Sequence, residues 1–308
     1  MRFEPLLRIA VRWSITGKKS AHSSGLKFAS LGIAVGVIAL IVVLSVMNGL
    51  QQQYIESLLE TTSFHIRARV KEGDLDIFTN NLRQNRLVRS VIPFMETNLL
   101  VQGQEGRQNV LRVMWIDSED LVLDFGYCRA LNISPSAAAK SLEEGIILGS
   151  EAAHILGVSE GSMLTLRGAY VDAEEGIQQY SERVKVSNLF RSGYYELDAA
   201  LAIMPRQKAK NLENFPASTI LGIKLINAEN ANSFASMLEH ENGILDIESW
   251  QEYNRSFFSA LHTEKILMFL LVGIIFIVVA INIHYSMRRS IARKSRDLAI
   301  MAAIGMNQ

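Results

Sequence analysis

Two uninterrupted apolar stretches dominate the hydrophobic pattern of this 308-residue chain, Phe28 to Met47 near one end and Ile266 to Ile283 near the other. Neither holds a charged residue. At about 1.5 Å rise per residue the first would extend about 30 Å, the hydrocarbon thickness of a bilayer, so both are expected to be transmembrane helices. A cleaved secretory signal would be shorter and would end at a small-residue site. Here the first run exits through Ser45-Val46-Met47-Asn48-Gly49, so an uncleaved anchor is the reading. Helical spacing continues through Leu50, Tyr54, Leu58 and Leu59 to Thr61-Thr62-Ser63, which predicts a stalk leading out of the membrane.

Between the two stretches the period changes. Phe64, Ile66, Ala68 and Val70 alternate with His65, Arg67 and Arg69, the pattern of a half-buried strand. Further strands are expected around 97–103, 108–116, 162–167, 184–190, 198–204 and 218–225, and helices around 75–84, 150–156, 206–212, 227–240 and 250–263. Interleaved helices and strands favour an α+β body over a sandwich. The least regular stretch runs from Gly168 to Arg183 and reads as a solvated hairpin loop. The alternative is a docking loop with Tyr170, Asp172, Glu174 and Glu175 as its contact residues, because long loops in compact domains are often functional.

Charge orients these elements. Arg2, Arg8, Arg12, Lys18, Lys19 and Lys27 precede the first stretch, and Arg288, Arg289, Arg293, Lys294 and Arg296 follow the second. By the positive-inside rule both ends lie in the cytoplasm. The expected architecture is therefore a membrane protein with two transmembrane α-helices flanking a large extracytoplasmic α+β domain. Its parts are a cytoplasmic amphipathic segment (1–27, with Leu6, Ile9, Ala10 and Trp13 at helical spacing), a first span (28–48), the domain with its stalks (49–263), a second span (264–286) and a cytoplasmic tail (287–308). Residues 28–264 carry 19 basic and 29 acidic side chains. An acidic domain of this kind argues against nucleic-acid binding.

Candidate chemistry is sparse. Cys128 is the single cysteine, which excludes an intrachain disulfide and a cysteine metal cage. The six histidines lack zinc-helix spacing, and structural or surface roles are expected for them. Gly17-Lys18-Lys19-Ser20 ends like a phosphate-binding loop, but Arg12 stands where glycine is required, so no ATPase activity is expected in this chain. No nucleophile-elbow context occurs, and the adjacent Glu143 and Glu144 diverge on any regular backbone. No catalytic residue, cofactor or metal is expected. Within the first stretch Gly32 and Gly36 form a Gly-x-x-x-Gly pair, the spacing at which lipid-embedded helices approach closely.

The run Ala29-Ser30-Leu31-Gly32-Ile33-Ala34-Val35-Gly36, continuing to Ser45-Val46-Met47-Asn48-Gly49, closely resembles the first membrane helix of the lipoprotein-releasing ABC permeases LolC and LolE. Gly145 to Glu151 with Leu156-Gly157-Val158, and Phe190 to Asp198 running to Pro205, resemble the same family. Arg296-Asp297-Leu298-Ala299-Ile300 to Gly305 resembles the segment after the second membrane helix there and in the wider macrolide-exporter and cell-division relatives.

The resemblance implies a porter-plus-sabre body, an α+β domain split by an inserted subdomain, in an inner-membrane protein. It implies a second permease subunit, identical or different, and a separate ABC ATPase subunit that hydrolyses the ATP. It implies a lipoprotein substrate and a periplasmic carrier. Arg293, Arg296, Asp297, Leu298, Ala299, Ile300 and Gly305 would form the ATPase-coupling segment. An acyl chain needs an apolar slot, for which Met47, Leu50, Leu58, Leu261, Met268 and Phe269 are the candidates.

Two departures stand out. Family members carry four membrane helices, so the missing two would come from a separate fragment, or the chain is a truncated product. The 168–183 loop stands where the carrier-binding hook falls, but it is acidic and contains no proline, which favours a LolE-like role. The alternatives are a mechanotransmitting permease relative acting on another substrate or on a cell-wall hydrolase, and a two-span sensor.

Overall fold

A computed structural model describes residues 21–172, 176–210, 218–239, 241, 243–293 and 295–303. The chain divides into two compact units, the body Gln51–Phe258 and a second unit drawn from residues 1–50 and 259–308. The expected amphipathic segment at 1–27 lies outside the described residues except for the start of the first helix.

The helical unit holds most of α1 (Ala21–Thr61) and α11 (Arg255–Arg293), followed by α12 (Ser295–Ala303). Both long helices pass the length and composition test for a membrane span, with mean hydropathy 2.1 in Ala34–Thr61 and 3.1 in Arg255–Arg289. Their apolar side chains are not covered by protein: Val35, Ile38, Ile41 and Val43 on α1, and Leu270, Ile274, Phe276 and Ile277 on α11, are each more than half exposed. In water that surface would be unfavourable at roughly 25 cal/mol per Å2. Lipid removes the cost.

The body is built from nine strands in the order β3-β7-β4-β6-β5-β2-β8-β1-β9. Its first half is a split β-α-β repeat. β1 (Ile66–Val70), α2 (Leu75–Gln84) and β2 (Val88–Gln102) are answered much later by β8 (Ile220–Leu225), α9 (Ala231–Leu238) and β9 (Ile244–Ser249). The order β9-β1-β8-β2, antiparallel throughout, is that of a ferredoxin-like sheet. Leu75, Thr79 and Leu82 bury one face of α2. Phe234, Ala235 and Leu238 bury one face of α9, and both helices pack over Leu221, Ile223 and Leu225.

The second half is inserted between β2 and β8. It contains β3 (Gln108–Ile116), α3 (Ser118–Leu123), α4 (Phe125–Ala130), α5 (Pro135–Glu144), β4 (Ile146–Gly149), α6 (Ser150–Leu156), β5 (Met163–Asp172), β6 (Gly176–Phe190), α7 (Tyr195–Ala200), β7 (Leu201–Pro205) and α8 (Arg206–Lys210). A further pairing of β2 with β3, from Phe94↔Ile116 to Gln102↔Gln108, closes six strands into a ring. Closure removes sheet edges. One core cluster draws on all six strands, including Leu99, Trp115, Leu148, Leu166, Val186 and Met204. A second, around Phe94, Met114, Tyr127, Leu142 and Ile203, packs α3, α4, α5 and α7 on the outside. Ser134 caps α5 ahead of Pro135, and Gly157 at φ +67° ends α6 in the left-handed conformation that glycine adopts without steric cost.

Expected elements at 75–84, 108–116 and 150–156 coincide with α2, β3 and α6. The stretch 168–183 is a correction. Its described residues, 168–172 and 176–183, form no loop but the paired arms of β5 and β6, in register from Met163↔Lys185 to Asp172↔Gly176. Backbone pairing made the ribbon, and its polar sequence carries no apolar face to announce it. Residues 198–204 are also corrected, since 195–200 is helical and the strand starts at Leu201. The strand expected at 97–103 is the second half of β2, which begins at Val88. The helix expected over 250–263 is broken at Asn254 between α10 (Trp250–Tyr253) and α11. The helices of 118–144, strand β4 and edge strand β9 had no expected counterpart: α3, α4 and β4 are short, α5 is rich in alanine and serine, and β9 carries no buried apolar face.

Candidate functional site

The two chain segments that lead to the long helices meet the body on the same few residues, at the start of β1. On the N-terminal side Ser57, Leu59 and Thr61 are buried, and the amides of Thr62 and Ser63 donate to the Leu58 carbonyl (3.0 and 2.9 Å), closing α1. Phe64 then turns the chain at φ +52°, a conformation strained for a bulky side chain. Packing holds it there. Its ring is fully buried, stacks on Phe94 at 4.9 Å, and lies over Gly222, where a Cβ would come within 2.6 Å of it.

Beneath Phe64 sits a closed charge cluster. Lys224, wholly buried in the middle of the sheet, reaches Glu60 at 2.9 Å and Asp124 at 2.7 Å. Arg89 binds the same Glu60 at 2.6 Å. Asp124 also accepts from the Ser90 hydroxyl (2.7 Å) and the Tyr127 amide (2.9 Å). The Lys224 ammonium lies 5.5 and 5.3 Å from the Phe64 and Tyr127 ring centroids, within cation–π range. Two cations face two carboxylates, so the cluster is neutral and its polar atoms are satisfied, the condition under which a buried ion pair is tolerable. Gly126 is required beside it, since a Cβ there would overlap the Glu60 carboxylate.

Burial alone would raise the Asp124 carboxyl. Lys224, with the hydrogen bonds from Ser90 and Tyr127, outweighs it and holds the group below the usual value. His65 accepts from the Leu225 amide through Nδ1 at 2.9 Å, and burial, with Arg89 adding to it, pushes its pKa down to about 4. Burial drives the Cys128 thiol up to about 11. Neither the imidazole nor the thiol is prepared for acid–base or nucleophilic work.

On the C-terminal side, Ser249 ends β9 and caps α10 in a capping box with Glu252. The Trp250 amide donates to the His65 carbonyl (3.0 Å), and Asn254 donates to the Ser63 hydroxyl (2.9 Å). Arg67 ties the two sides together. It donates to the Thr62 carbonyl (2.9 Å), pairs with Glu96 at 2.8 Å, and lies 4.1 Å from the Tyr253 ring centroid. Tyr54 and Phe257 add a ring contact at 5.3 Å. Both segments are thus fastened to residues 62–67.

Sequence reasoning missed Lys224, Asp124, Arg67, Glu96 and Asn254. One signal was available: Lys224 is a lone cation in the apolar strand Ile-Leu-Gly-Ile-Lys-Leu, on the same face as Ile220 and Gly222.

The expected site residues are dispersed. Gly32 and Gly36 lie on α1, and a Cβ added at either would meet nothing within 4 Å. Of the six candidates for an apolar slot, Leu58 belongs to the body, where it lines a pocket of about 190 Å3 with Tyr54, Thr62, Arg112 and Glu196. Met47, Leu50, Leu261, Met268 and Phe269 belong to the helical unit, with Leu50 and Phe269 exposed. Arg293 ends α11, and Arg296, Asp297, Leu298, Ala299 and Ile300 lie on α12, where Ile300 is exposed. Tyr170 and Asp172 are in β5. Gly305, Glu174 and Glu175 lie outside the described residues.

Residues 28–240 match the family model described as the MacB-like periplasmic core domain. The lipoprotein-releasing system transmembrane protein LolC of Neisseria meningitidis serogroup B is 30% identical over 313 aligned positions, covering 97% of this chain and 74% of that one. LolC of Xylella fastidiosa is 27% identical, covering 99% and 75%. LolE of Haemophilus influenzae is 25% identical, covering 91% and 69%.

Proposed function

We propose a function from one premise: the chain belongs to the LolC/LolE family of lipoprotein-releasing transmembrane proteins and carries a MacB-like periplasmic core domain. It is a permease subunit of an ABC transporter. Within that role, the two apolar helices span the inner membrane with both flanks cytoplasmic, and the body stands in the periplasm. Supporting this are the charge-free cores of the helices and the excess of basic residues on one flank of each, five after the second stretch against Lys265 immediately before it.

The chain does not hydrolyse ATP. A separate ATPase subunit supplies the work through the segment from Arg293 to Gly305, with Ile300 on an open face of α12. Gly32 and Gly36, with open space above them, pack against a helix of a second permease subunit, identical or different. Met47, Leu50, Leu58, Leu261, Met268 and Phe269 border the path of the lipoprotein's acyl chains. Tyr170 and Asp172, on the described part of β5, with Glu174 and Glu175 following in the sequence, are the place for a periplasmic carrier to dock.

The observation that carries the reading is the joint at residues 62–67. A transporter that moves a periplasmic body with membrane helices needs the two segments that lead to those helices joined to the same part of the body, and here the Arg67–Thr62 and Asn254–Ser63 hydrogen bonds join them there. Tagged chain should copurify an ABC ATPase, and Ile300→Asp should abolish the copurification. Arg67→Ala should leave the ATPase bound while lowering release of an acylated lipoprotein from spheroplasts, with unacylated protein unaffected throughout. If no ATPase is recovered, or if release is equal for both substrates, the assignment is wrong.

A further inference from the structure

The stretch from Phe190 to Asp198 takes no part in the joint at residues 62–67, yet it is built as a heavily fastened turn. The Ser192 amide and hydroxyl both donate to the buried Asp198 carboxylate (2.8 and 2.7 Å), and the Tyr194 amide donates to the Ser192 hydroxyl (3.2 Å). Gly193 turns the chain at φ +89°, in the left-handed region that glycine enters freely. Gly149 lets the Asp198 backbone lie close, since a Cβ there would overlap the Asp198 carbonyl oxygen. What the turn presents is the ring of Tyr194, half-buried at the margin of the second core cluster.

The outer partner of that ring is Tyr54. The two meet edge to face, with centroids 5.2 Å apart and planes at 61°. Tyr54 also meets Phe257 at 5.3 Å. One side chain therefore joins three pieces of the body: its stretch of α1, the start of α11, and the inserted half that carries the turn.

The place of Tyr54 along α1 gives this contact a mechanical meaning. Glu60 ties the end of α1 into the charge cluster, and Tyr54 precedes it by six residues, about 9 Å along the axis at 1.5 Å per residue. A rod held at one point passes on translation but pivots about that point. Held at a second point, it passes on its tilt as well. Between the two points the inserted half does not fill the space, because the pocket of about 190 Å3 lies there, with Tyr54 and Leu58 on one side and Leu197 and Leu201 on the other.

We propose that Tyr54 is a positioning residue through which tilting of α1 reaches the inserted half of the body, with Tyr194 as its seat and Phe257 carrying α11 along. The inference rests on the permease reading and deepens it by separating two jobs. The joint at residues 62–67 holds the segments to the body, and the Tyr54–Tyr194 contact makes their tilt productive.

The test uses the full chain with its copurified ATPase, in liposomes carrying an acylated lipoprotein, and reads lipoprotein released per ATP hydrolysed. Tyr54→Ala should lower that ratio about tenfold, with hydrolysis still at the parent rate. Tyr54→Phe keeps the ring and should restore the ratio, and Tyr195→Ala, at the exposed neighbouring position, should leave it unchanged. Tyr194→Ala should match Tyr54→Ala, and the double variant should be no worse than either, because all three remove one contact. The inference is overturned if Tyr54→Ala keeps the parent ratio, if Tyr54→Phe is as poor as Tyr54→Ala, or if the two alanine losses add. It is also overturned if hydrolysis and release fall together with the thermal midpoint, the mark of a merely structural contact. A parent that recovers no ATPase or releases no lipoprotein sinks the permease reading itself, and this inference with it.

Discussion

Lys224 and Lys185 each pair with glutamate, and the regions around them are held together in opposite ways. Lys224 lies in the joint with no exposed surface, between two carboxylates. Lys185 lies at the base of the β5–β6 ribbon, 3.5 Å from Glu144, with both side chains about half exposed. The ribbon keeps its shape through a backbone ladder of ten paired positions, to which any polar side chain is nearly indifferent. The joint has little ladder of its own and keeps its shape through specific side chains. The difference teaches where this protein tolerates change: ribbon residues outside the core positions Leu164, Leu166 and Val184 can vary freely, whereas joint residues answer to one another.

The sharpest way to break the contrast is Lys224→Met, which leaves Glu60 and Asp124 facing each other without their shared cation. About 3–5 kcal/mol of body stability should be lost, read as a large drop in the thermal midpoint of the full chain in detergent. Adding Asp124→Asn and Glu60→Gln should recover most of it. A midpoint that does not move with the single change would remove the cluster from its structural role.

Acid should act on the joint next. An unfolded His65 titrates near 6.5, while in the fold it is held at about 4, so the unfolded chain takes up the proton first as pH falls. Stability is complete above about pH 6.5 and declines down to about pH 4, by about 3 kcal/mol at ~1.4 kcal/mol per unit. The lowered Asp124 works in the same sense, losing its contribution as pH drops through its folded value. His65→Asn keeps an acceptor for the Leu225 amide but cannot titrate. Its midpoint should be flatter across that window, and an identical acid limb in both proteins would exclude His65 as the source.

Gly222→Ala should cost about 1–3 kcal/mol, because the new methyl meets the Phe64 ring at 2.6 Å. Pairing it with Phe64→Leu should give less than the sum of the two losses; strict additivity would show that the ring and the glycine are not in conflict. The smallest effect is expected at the ribbon, where Lys185→Ala should cost less than about 1 kcal/mol and grow no larger at low salt than screening allows. A loss comparable to that of Lys224 would erase the distinction between the two regions.

Legibility followed the same division. Helices of ten residues or more with one apolar face, such as α2, were readable, as were strands with clean alternation such as β1 and β3. The six-residue helices α3 and α4 were not, because two turns give periodicity too little to register, and the ten-residue α5 was not, because Pro-Ser-Ala-Ala-Ala-Lys-Ser-Leu-Glu-Glu offers a single large apolar side chain. The polar outer part of the ribbon reads as a loop in the sequence because its order comes from pairing rather than from burial. Of the site, the flanking helices were visible and the joint was not. Apart from Leu58, whose carbonyl closes α1 beside Thr62 and Ser63, the candidates named on the helices are separate from the residues that fasten the segments to the body.

What the sequence determined by itself was local: two charge-free runs long enough to cross a bilayer, an excess of basic residues on one flank of each, and a body whose strands alternate. These follow from hydropathy and period, which need no knowledge of neighbours. Only the tertiary structure decided that β2 would serve both the ferredoxin-like sheet and the closed ring, and that Lys224 would meet Glu60, 164 positions away in the chain. A buried charge has no local signature, because its energy depends on which partners the fold brings within 3 Å and on the water it excludes.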